Sequence, residues 1–251
     1  MSNSNKSFSN IYPNLLTFNK NSRLGKAKKI LAVLNEEVSM KKLKYLSLLD
    51  VGCSEGLITS FLSNYLGTVI GIDTDKNAID KASKHKNKNV SYETVGNEIL
   101  PFKNNSFDIV LANHLYEHVG NPQKIYEEIS RVLKPDGFCY SGTGNKLVLI
   151  DAHYPTLPLI SLLPISLANL YVKIAGKGSF YEPRLKTIFG IRKMFKNFNV
   201  SDYTIKIIKN PRKYHYEDAV GSFIPRIPTF IVKLLYPFIS DFIYVLREKK
   251  L

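Results

Sequence analysis

Two carboxylates stand at the ends of two neighbouring apolar runs, where one ligand could reach both. Asp50 opens a turn of small residues, 50–56 (DVGCSEG), and a helical pattern follows. Asp73 ends the next apolar run. Small residues let the backbone approach a ligand closely, and the start of a helix offers free N–H groups. Since a carboxylate can accept two hydrogen bonds from a ribose, the pattern is typical of a nucleoside-binding site in an open α/β sheet.

The elements that must position these carboxylates alternate between strand and helix. Strands are predicted at 45–51, 68–73, 90–95, 107–112 and 138–143, with helices at 55–65, 76–84 and 122–133 between them. A helix is also predicted at 24–44, with its basic face in solvent, and after residue 144 a helix at 186–198 and strands at 200–208 and 242–246. Such alternation predicts an α/β fold with a doubly wound, mostly parallel sheet.

Four segments, in this order, resemble the motifs of the class I S-adenosylmethionine-dependent methyltransferases, of the small-molecule, type 11-like group. They are 49–56 (LDVGCSEG), 71–73 (GID), 100–102 with 106–110 (LPF and SFDIV), and 131–137 (RVLKPDG). The first two also occur in dinucleotide-dependent dehydrogenases, whereas the last two are typical of the methyltransferases. The resemblance covers about residues 45–145 and implies a seven-stranded Rossmann-like sheet whose final hairpin makes one strand antiparallel.

The resemblance also implies S-adenosylmethionine as the cofactor and a set of residues that bind it. These are Asp50, Gly52, Cys53, Ser54, Gly56, Asp73, Asn97, Glu98, Asn113 and Leu115. Asp50 and the glycine loop would face the methionine portion, Asp73 the ribose hydroxyls, and Asn97 with Glu98 the adenine. The chain departs from the family at Ser54, where a glycine is usual, and at Gly96, where an acid is common.

Three histidines are candidates for the methyl-acceptor side of the site. His118 can act as a general base for a hydroxyl acceptor because its ordinary pKa is near 6.5, and Glu117 is a candidate to orient it. A structural histidine beside the cofactor loop is the alternative. His114 and His153 are candidate substrate contacts, since they follow the fourth and fifth predicted strands. No pattern in the sequence resembles a metal cluster, so we expect no metal.

The C-terminal half carries helical and aromatic insertions, and the sequence allows two interpretations of their function. Residues 152–172 contain no Lys, Arg, Asp or Glu, and prolines interrupt them and the apolar region 223–246. A cover over the acceptor site is one interpretation, and contact with a membrane surface is the other. Proline and polar residues argue against a spanning helix. We therefore expect a basic arm and helix at 1–44, a cofactor-binding core at 45–145, and the remaining sheet with these elements at 146–251.

The amino-acid composition limits which binding partners and which cellular compartment we expect. The formal net charge is +14, and residues 1–44 hold nine Lys and Arg against two Glu. This favours an anionic membrane surface or anionic substrate over nucleic acid, for which no binding module is recognised. Two cysteines and a polar N-terminus without an apolar leader pattern predict a cytoplasmic protein, peripheral at the inner face of the membrane if it binds lipid.

These expectations lead to two functional hypotheses of different classes. The first is methylation of a small or amphiphilic acceptor, with O-methylation of a glycan, a lipid-linked sugar or a quinone-like compound favoured. The second is a non-enzymatic membrane-surface protein on a methyltransferase-like scaffold. The intact loop residues argue against the second. The oligomeric state is not determined by the sequence.

Overall fold

The fold is built on one seven-stranded sheet, seen in a computed structural model that describes residues 20–85, 87–96 and 98–249. The predicted adenine contact Asn97 lies outside the described residues. The strands are β1 Ser47–Val51, β2 Thr68–Asp73, β3 Val90–Thr94, β4 Phe107–Asn113, β5 Leu133–Gly144, β6 Phe198–Asp202 and β7 Asp241–Glu248. Their order in the sheet is β3-β2-β1-β4-β5-β7-β6.

The sheet topology brings the ends of β1, β2 and β4 together. Strands β1 to β5 pair in parallel, whereas β7 runs antiparallel to both β5 and β6. The chain reverses its direction across the sheet beside β1, and a crevice forms outside the carboxyl ends of the strands at such a switch point. The predicted doubly wound sheet with one antiparallel strand is confirmed.

The described part of the chain contains ten α-helices. They are α1 Lys20–Glu37, α2 Met40–Leu43, α3 Leu57–Ser63, α4 Lys76–Ala82, α5 Pro122–Val132, α6 Ile165–Ile174, α7 Ile188–Met194, α8 Thr204–Lys209, α9 Glu217–Val220 and α10 Thr229–Leu234. Side-chain hydrogen bonds cap the first turn of α4 and of α5. The Asp75 side chain accepts from two backbone N–H groups of α4, and the Asn121 side chain accepts from the N–H of Lys124 in α5.

The two faces of the sheet carry separate apolar cores because successive strand residues point to opposite sides. Leu49 packs in the cluster that contains Ile129 of α5 and Ile191 of α7. Leu48 packs in the cluster that contains Ile30 of α1 and Leu62 of α3. Helices on both faces therefore hold the carboxyl edge of the sheet in a fixed position.

Several predicted element boundaries differ from the observed ones. The segment predicted as one strand over 200–208 is strand β6 followed by helix α8, since the chain turns at Tyr203, whose N–H donates to the carbonyl of Ile243. Residues 135–137, between the predicted helix at 122–133 and the predicted strand at 138–143, are an irregular part of β5, where the pairing with β4 shifts register. The predicted helix over 24–44 is α1 and the one-turn helix α2.

The basic side of α1 is not wholly in solvent, which corrects a second expectation. Lys29 is only 6% exposed, and its Nζ lies 4.3 Å from the centre of the Tyr216 ring. Arg23 and Lys26 are half-buried on the same helix. Positions 23, 26 and 29 lie near one another on the helix surface, so α1 turns a row of cations toward the carboxyl edge of the sheet.

Candidate functional site

The loop between β1 and α3 turns sharply at its small residues. Gly52, Ser54 and Gly56 all have positive φ, at 80°, 51° and 71°. The N–H groups of Gly52 and Cys53 donate to the carbonyl of Ile72, so the loop is fastened to the end of β2. Glycine adopts this region without steric cost, whereas Ser54 does so at some cost.

Asp73 lies against this loop as predicted. Its Oδ2 accepts from the backbone N–H of Ser54 at 2.8 Å, and its Oδ1 accepts from the N–H of Asp75 at 2.9 Å. Two fixed hydrogen bonds orient the carboxylate. Each oxygen retains acceptor capacity, since a carboxylate offers about four lone-pair sites. The half-buried carboxylate therefore fits a ligand with two adjacent hydroxyls.

Asp50 occupies a different environment, although it is the same residue type. Its side chain is only 4% exposed, and its Oδ2 accepts from the hydroxyl of Thr59 at 2.6 Å. Burial raises the pKa of Asp50 to about 7, against the lowering effect of the Thr59 hydrogen bond. A nearby cationic group of a ligand would favour the ionised form of Asp50.

Arg23 is a site residue that the sequence reasoning missed. Its Nη2 donates to the Ser54 hydroxyl at 3.5 Å, so the guanidinium of α1 reaches the glycine loop. Burial lowers the pKa of Arg23, while the charges of Glu55, Asp50 and Asp73 oppose that shift. The only sequence signal was its place among the basic residues of α1, which did not show which of them faces the loop.

The other predicted cofactor residues lie at three different places in the structure. Leu115 packs against the loop, since a Cβ at Gly52 would lie 3.2 Å from its Cδ1. Asn113 ends β4 and lies against Gly142 of β5. Glu98 instead accepts from the backbone N–H of Asn121, at the start of α5. The structure thus brings Leu115 to the loop and shows Glu98 holding a helix start.

A cavity of about 720 Å³ lies beside the segment that follows β4. Its polar lining includes Glu117, His118 and Glu182. Its apolar lining includes Leu163 and Phe180 of the insertion between β5 and α7. Ligand sites commonly have this size and this combination of apolar walls with a few polar groups.

Glu117 is surrounded by the three candidate histidines rather than paired with His118. It is fully buried, and its Oε1 accepts from Nδ1 of His114 at 3.0 Å. Burial would raise the pKa of Glu117, but the His114 hydrogen bond and the charges of His114, His118 and His153 lower it to about 2. Its Oε2 has no hydrogen-bond donor among the described residues. The expected Glu117–His118 pair is therefore wrong.

Each of the other two histidines has its own carboxylate. His118 donates from Nδ1 to Glu182 at 2.9 Å, and His153 donates from Nδ1 to Asp151 at 2.8 Å. Tyr181 donates its hydroxyl to the second oxygen of the buried Asp151. Such a pairing fixes the ring, and Nε2 is the basic nitrogen of each imidazole when the ring is neutral. Glu182, Asp151 and Tyr181 had no motif in the sequence to reveal them.

These groups converge closely enough to share a proton or an ion. One ligand atom from each of Glu117, His118 and His153 lies within 4.8 Å of the others, and the two imidazole rings are 5.3 Å apart. Carboxylate and imidazole are ligand types that several divalent metals accept. The expectation that the protein uses no metal stays a prediction.

Comparison with known proteins shows which family the sheet and the glycine loop resemble. Residues 49–141 match a family model described as a methyltransferase domain. A ubiquinone biosynthesis O-methyltransferase of Pelagibacter ubique is 29% identical over 67% of this chain and 72% of its own length. A protein of the same name from Coxiella burnetii is 34% identical over 41% of this chain, and the match spans about half of that relative, 46%.

Solved structures support the same fold. A Pyrococcus horikoshii protein aligns with 97% of this chain and 99% of its own, at a TM-score of 0.60 and 17% identity. An S-adenosylmethionine-dependent methyltransferase from Mesorhizobium loti aligns with 86% of this chain and 98% of its own, at a TM-score of 0.54 and 14% identity. At these identities the likeness establishes the fold alone.

The glycine loop, the fixed Asp73 carboxylate and the sheet order agree with the family match. The non-enzymatic alternative is not supported, and the methyl donor is S-adenosylmethionine. Residues 49–141 therefore match the methyltransferase domain family, and the chain is similar in sequence and fold to S-adenosylmethionine-dependent methyltransferases.

Proposed function

We propose that this enzyme methylates a hydroxyl oxygen of a small aromatic, quinone-like acceptor. The observation that carries the proposal is the cavity of about 720 Å³, whose lining combines His118 and two carboxylates with apolar side chains. Relatives from Pelagibacter ubique, Coxiella burnetii and Dictyostelium discoideum are named ubiquinone biosynthesis O-methyltransferases, which supports this acceptor class. Free, buried cysteines at 53 and 139 agree with a cytoplasmic enzyme.

The donor side of the proposal rests on the loop between β1 and α3. Asp73 accepts from the ribose hydroxyls, because its carboxylate is held by Ser54 and Asp75 with lone pairs to spare. Asp50 faces the cationic end of the methionine portion. Arg23 supplies positive charge for the carboxylate of that methionine portion. Bound S-adenosylmethionine supplies an electrophilic methyl group.

Enzymatic methyl transfer requires position, a dry site and removal of the acceptor proton. We assign proton removal to His118. Its Nδ1–H donates to Glu182, so that Nε2 accepts the proton while the acceptor oxygen bonds to the methyl carbon and the sulfur–carbon bond breaks. We assign to His153, whose ring lies 5.3 Å from that of His118, a contact with the acceptor, and to Glu117 the stabilisation of the positive charge that develops on the imidazole. Leu163 and Phe180 supply apolar surface to the lining of the cavity.

The test is product analysis with donor labelled in the methyl group. The purified enzyme is incubated with a short-chain catechol quinol, a phenol, a lipid-linked sugar, a free glycan and an aromatic amine. We expect a labelled methyl ether of the quinol by mass spectrometry, and none from the Asp73→Ala variant. Transfer to nitrogen or carbon, or to the sugar alone, would contradict the assignment.

A further inference from the structure

Most large apolar side chains exposed in the described part of the chain belong to two segments. Fifteen of 21 such side chains lie within residues 146–187 and 217–240, and the other six are spread over the rest of the described chain. They are Leu149, Ile150, Leu159, Leu162, Ile165, Leu167, Leu170, Ile174, Phe180, Phe223, Ile224, Phe230, Leu234, Leu235 and Phe238. Concentrated apolar surface on a folded protein marks an interaction site.

On helix α6 three of the exposed apolar side chains lie on one face of the helix. Ala168 and Val172 are buried in a small local core. Leu167, Leu170 and Ile174 are 51%, 52% and 75% exposed, and their spacing places them on one face of the helix. The helix therefore turns an apolar stripe outward, the reverse of an ordinary surface helix.

Helix α10 repeats the pattern in the second segment. Val232 is buried, whereas Phe230 and Leu234, four positions apart, are 71% and 74% exposed. Phe223 and Phe238, on either side of the helix, are 72% and 63% exposed. Two independent insertions thus carry outward-facing apolar residues.

Both segments lie at the carboxyl edge of the sheet, beside the acceptor cavity. The first follows the end of β5 and the second precedes the start of β7, where Gly144 pairs with Asp241. The Asn145 amide donates to the carbonyls of Pro237 and Ile239 at 2.7 and 2.8 Å, which joins the two insertions. The cavity takes lining residues from the first of them.

The two segments together hold seven Lys and Arg against four Asp and Glu, and the four carboxylates, at 151, 182, 217 and 218, lie outside the stretches that hold most of the exposed apolar side chains. Between residues 152 and 181 the only Lys, Arg, Asp or Glu residues are Lys173 and Lys177. Between residues 219 and 240 they are Arg226 and Lys233. Apolar stretches whose own charged residues are cations complement a bilayer that contains anionic lipids.

We propose that residues 146–187 and 217–240 dock the enzyme on the surface of an anionic bilayer. The apolar stripes of α6 and α10 insert among the lipids, and the lysines and arginine contact the headgroups. In the described residues no helix is both long and apolar enough to cross a bilayer, so the contact is peripheral. Docking does not depend on the identity of the acceptor, and a water-soluble acceptor tests the chemistry separately.

Flotation with vesicles tests the docking. The full chain is mixed with phosphatidylcholine vesicles, with or without phosphatidylglycerol, at low and high salt. We expect flotation with the anionic vesicles and weaker binding at high salt, because screening weakens the attraction. The double variants Leu170→Ser/Ile174→Ser and Phe230→Ser/Leu234→Ser should each bind at least about tenfold more weakly.

Phe189→Ser is the matched control, since Phe189 is as exposed as Phe230, 71%, but lies outside both segments. It should bind vesicles like the unmodified chain. Donor affinity and thermal unfolding verify that each variant is folded. The proposal is overturned if the unmodified chain does not float, if the double variants float normally, or if light scattering shows that the stripes instead join two copies of the chain.

Discussion

Asp50 and Asp73 show how position gives one residue type two roles. Asp73 is half-buried and held by two backbone N–H groups, which suits neutral hydroxyls. Asp50 is buried, and burial raises its pKa to about 7. The energetic cost of ionising Asp50 makes it responsive to a cation that arrives with the ligand.

This difference predicts that donor affinity depends on pH. In the free enzyme Asp50 holds a proton below about pH 7, and the cationic donor lowers its pKa by favouring the carboxylate. Binding therefore releases a proton, and affinity should fall as pH falls below about 7, by up to about tenfold per pH unit. Calorimetry in buffers of different ionisation enthalpy measures this release. Asp50→Asn should remove the dependence, and a flat profile in the unmodified enzyme would exclude the role given to Asp50.

A second prediction at this scale concerns His118. His118→Ala should lower turnover by about 100-fold or more, since general base catalysis typically contributes that much. Donor affinity should stay unchanged, because the ring lies in the acceptor cavity. His215→Ala is the control, as His215 is exposed. Normal turnover would make His118 a structural histidine. A chelator should leave turnover unchanged if the enzyme needs no metal.

At the scale of elements, the join between β2 and the glycine loop depends on close packing. A Cβ at Gly71 would lie 2.8 Å from Cδ1 of Tyr92 and 3.0 Å from Sγ of Cys53. Cys53 is buried, and burial raises the pKa of its thiol, so it fills space here rather than reacting.

We therefore expect Gly71→Ala to lower the free energy of unfolding by about 1–3 kcal/mol, because overpacking displaces the loop. Donor affinity should fall with it. Gly25→Ala is the control, since a Cβ there meets no atom within 4 Å. Denaturant unfolding and calorimetry measure both quantities. Equal stability of the two variants would mean that the loop accommodates a methyl group.

Helix α1 gives a prediction about stability and pH. Burial lowers the pKa of Lys29 to about 8, from an ordinary value of about 10.5. Between these values the unfolded chain binds the additional proton, so folding becomes more favourable as pH rises through that window. Lys29→Met should thus be stabilising below about pH 8, by roughly 3 kcal/mol, and the gain should vanish near pH 10.5. A gain that is independent of pH would contradict the burial of a charged amine.

Local patterns revealed some of these elements, and tertiary contacts determined the others. The glycine loop and Asp73 could be predicted because their backbone geometry is written in adjacent residues. The partner of His118 could not, since Glu182 arrives from an insertion 64 positions away. The buried side of α1 was also misread, because the aromatic ring that covers Lys29 comes from Tyr216 in another part of the chain.

At the scale of the whole molecule, the donor loop, the acceptor cavity and the two apolar insertions all lie at one edge of the sheet. Strands β6 and β7 belong to residues 146–251, so that part of the chain both completes the sheet and covers the site. With a net charge of +14, the enzyme should be attracted to anionic surfaces in a manner that salt weakens.

The central claim is that the donor is held where β1 and β2 end. Calorimetric titration of S-adenosylmethionine into the unmodified enzyme, Asp73→Ala and Asp80→Ala tests it most directly. Asp80 is the control because it is exposed on α4 and pairs only with Lys76 among the described contacts. We predict that Asp73→Ala loses at least about 100-fold in affinity while it stays folded, and that Asp80→Ala binds normally. Unchanged affinity in folded Asp73→Ala would contradict the account.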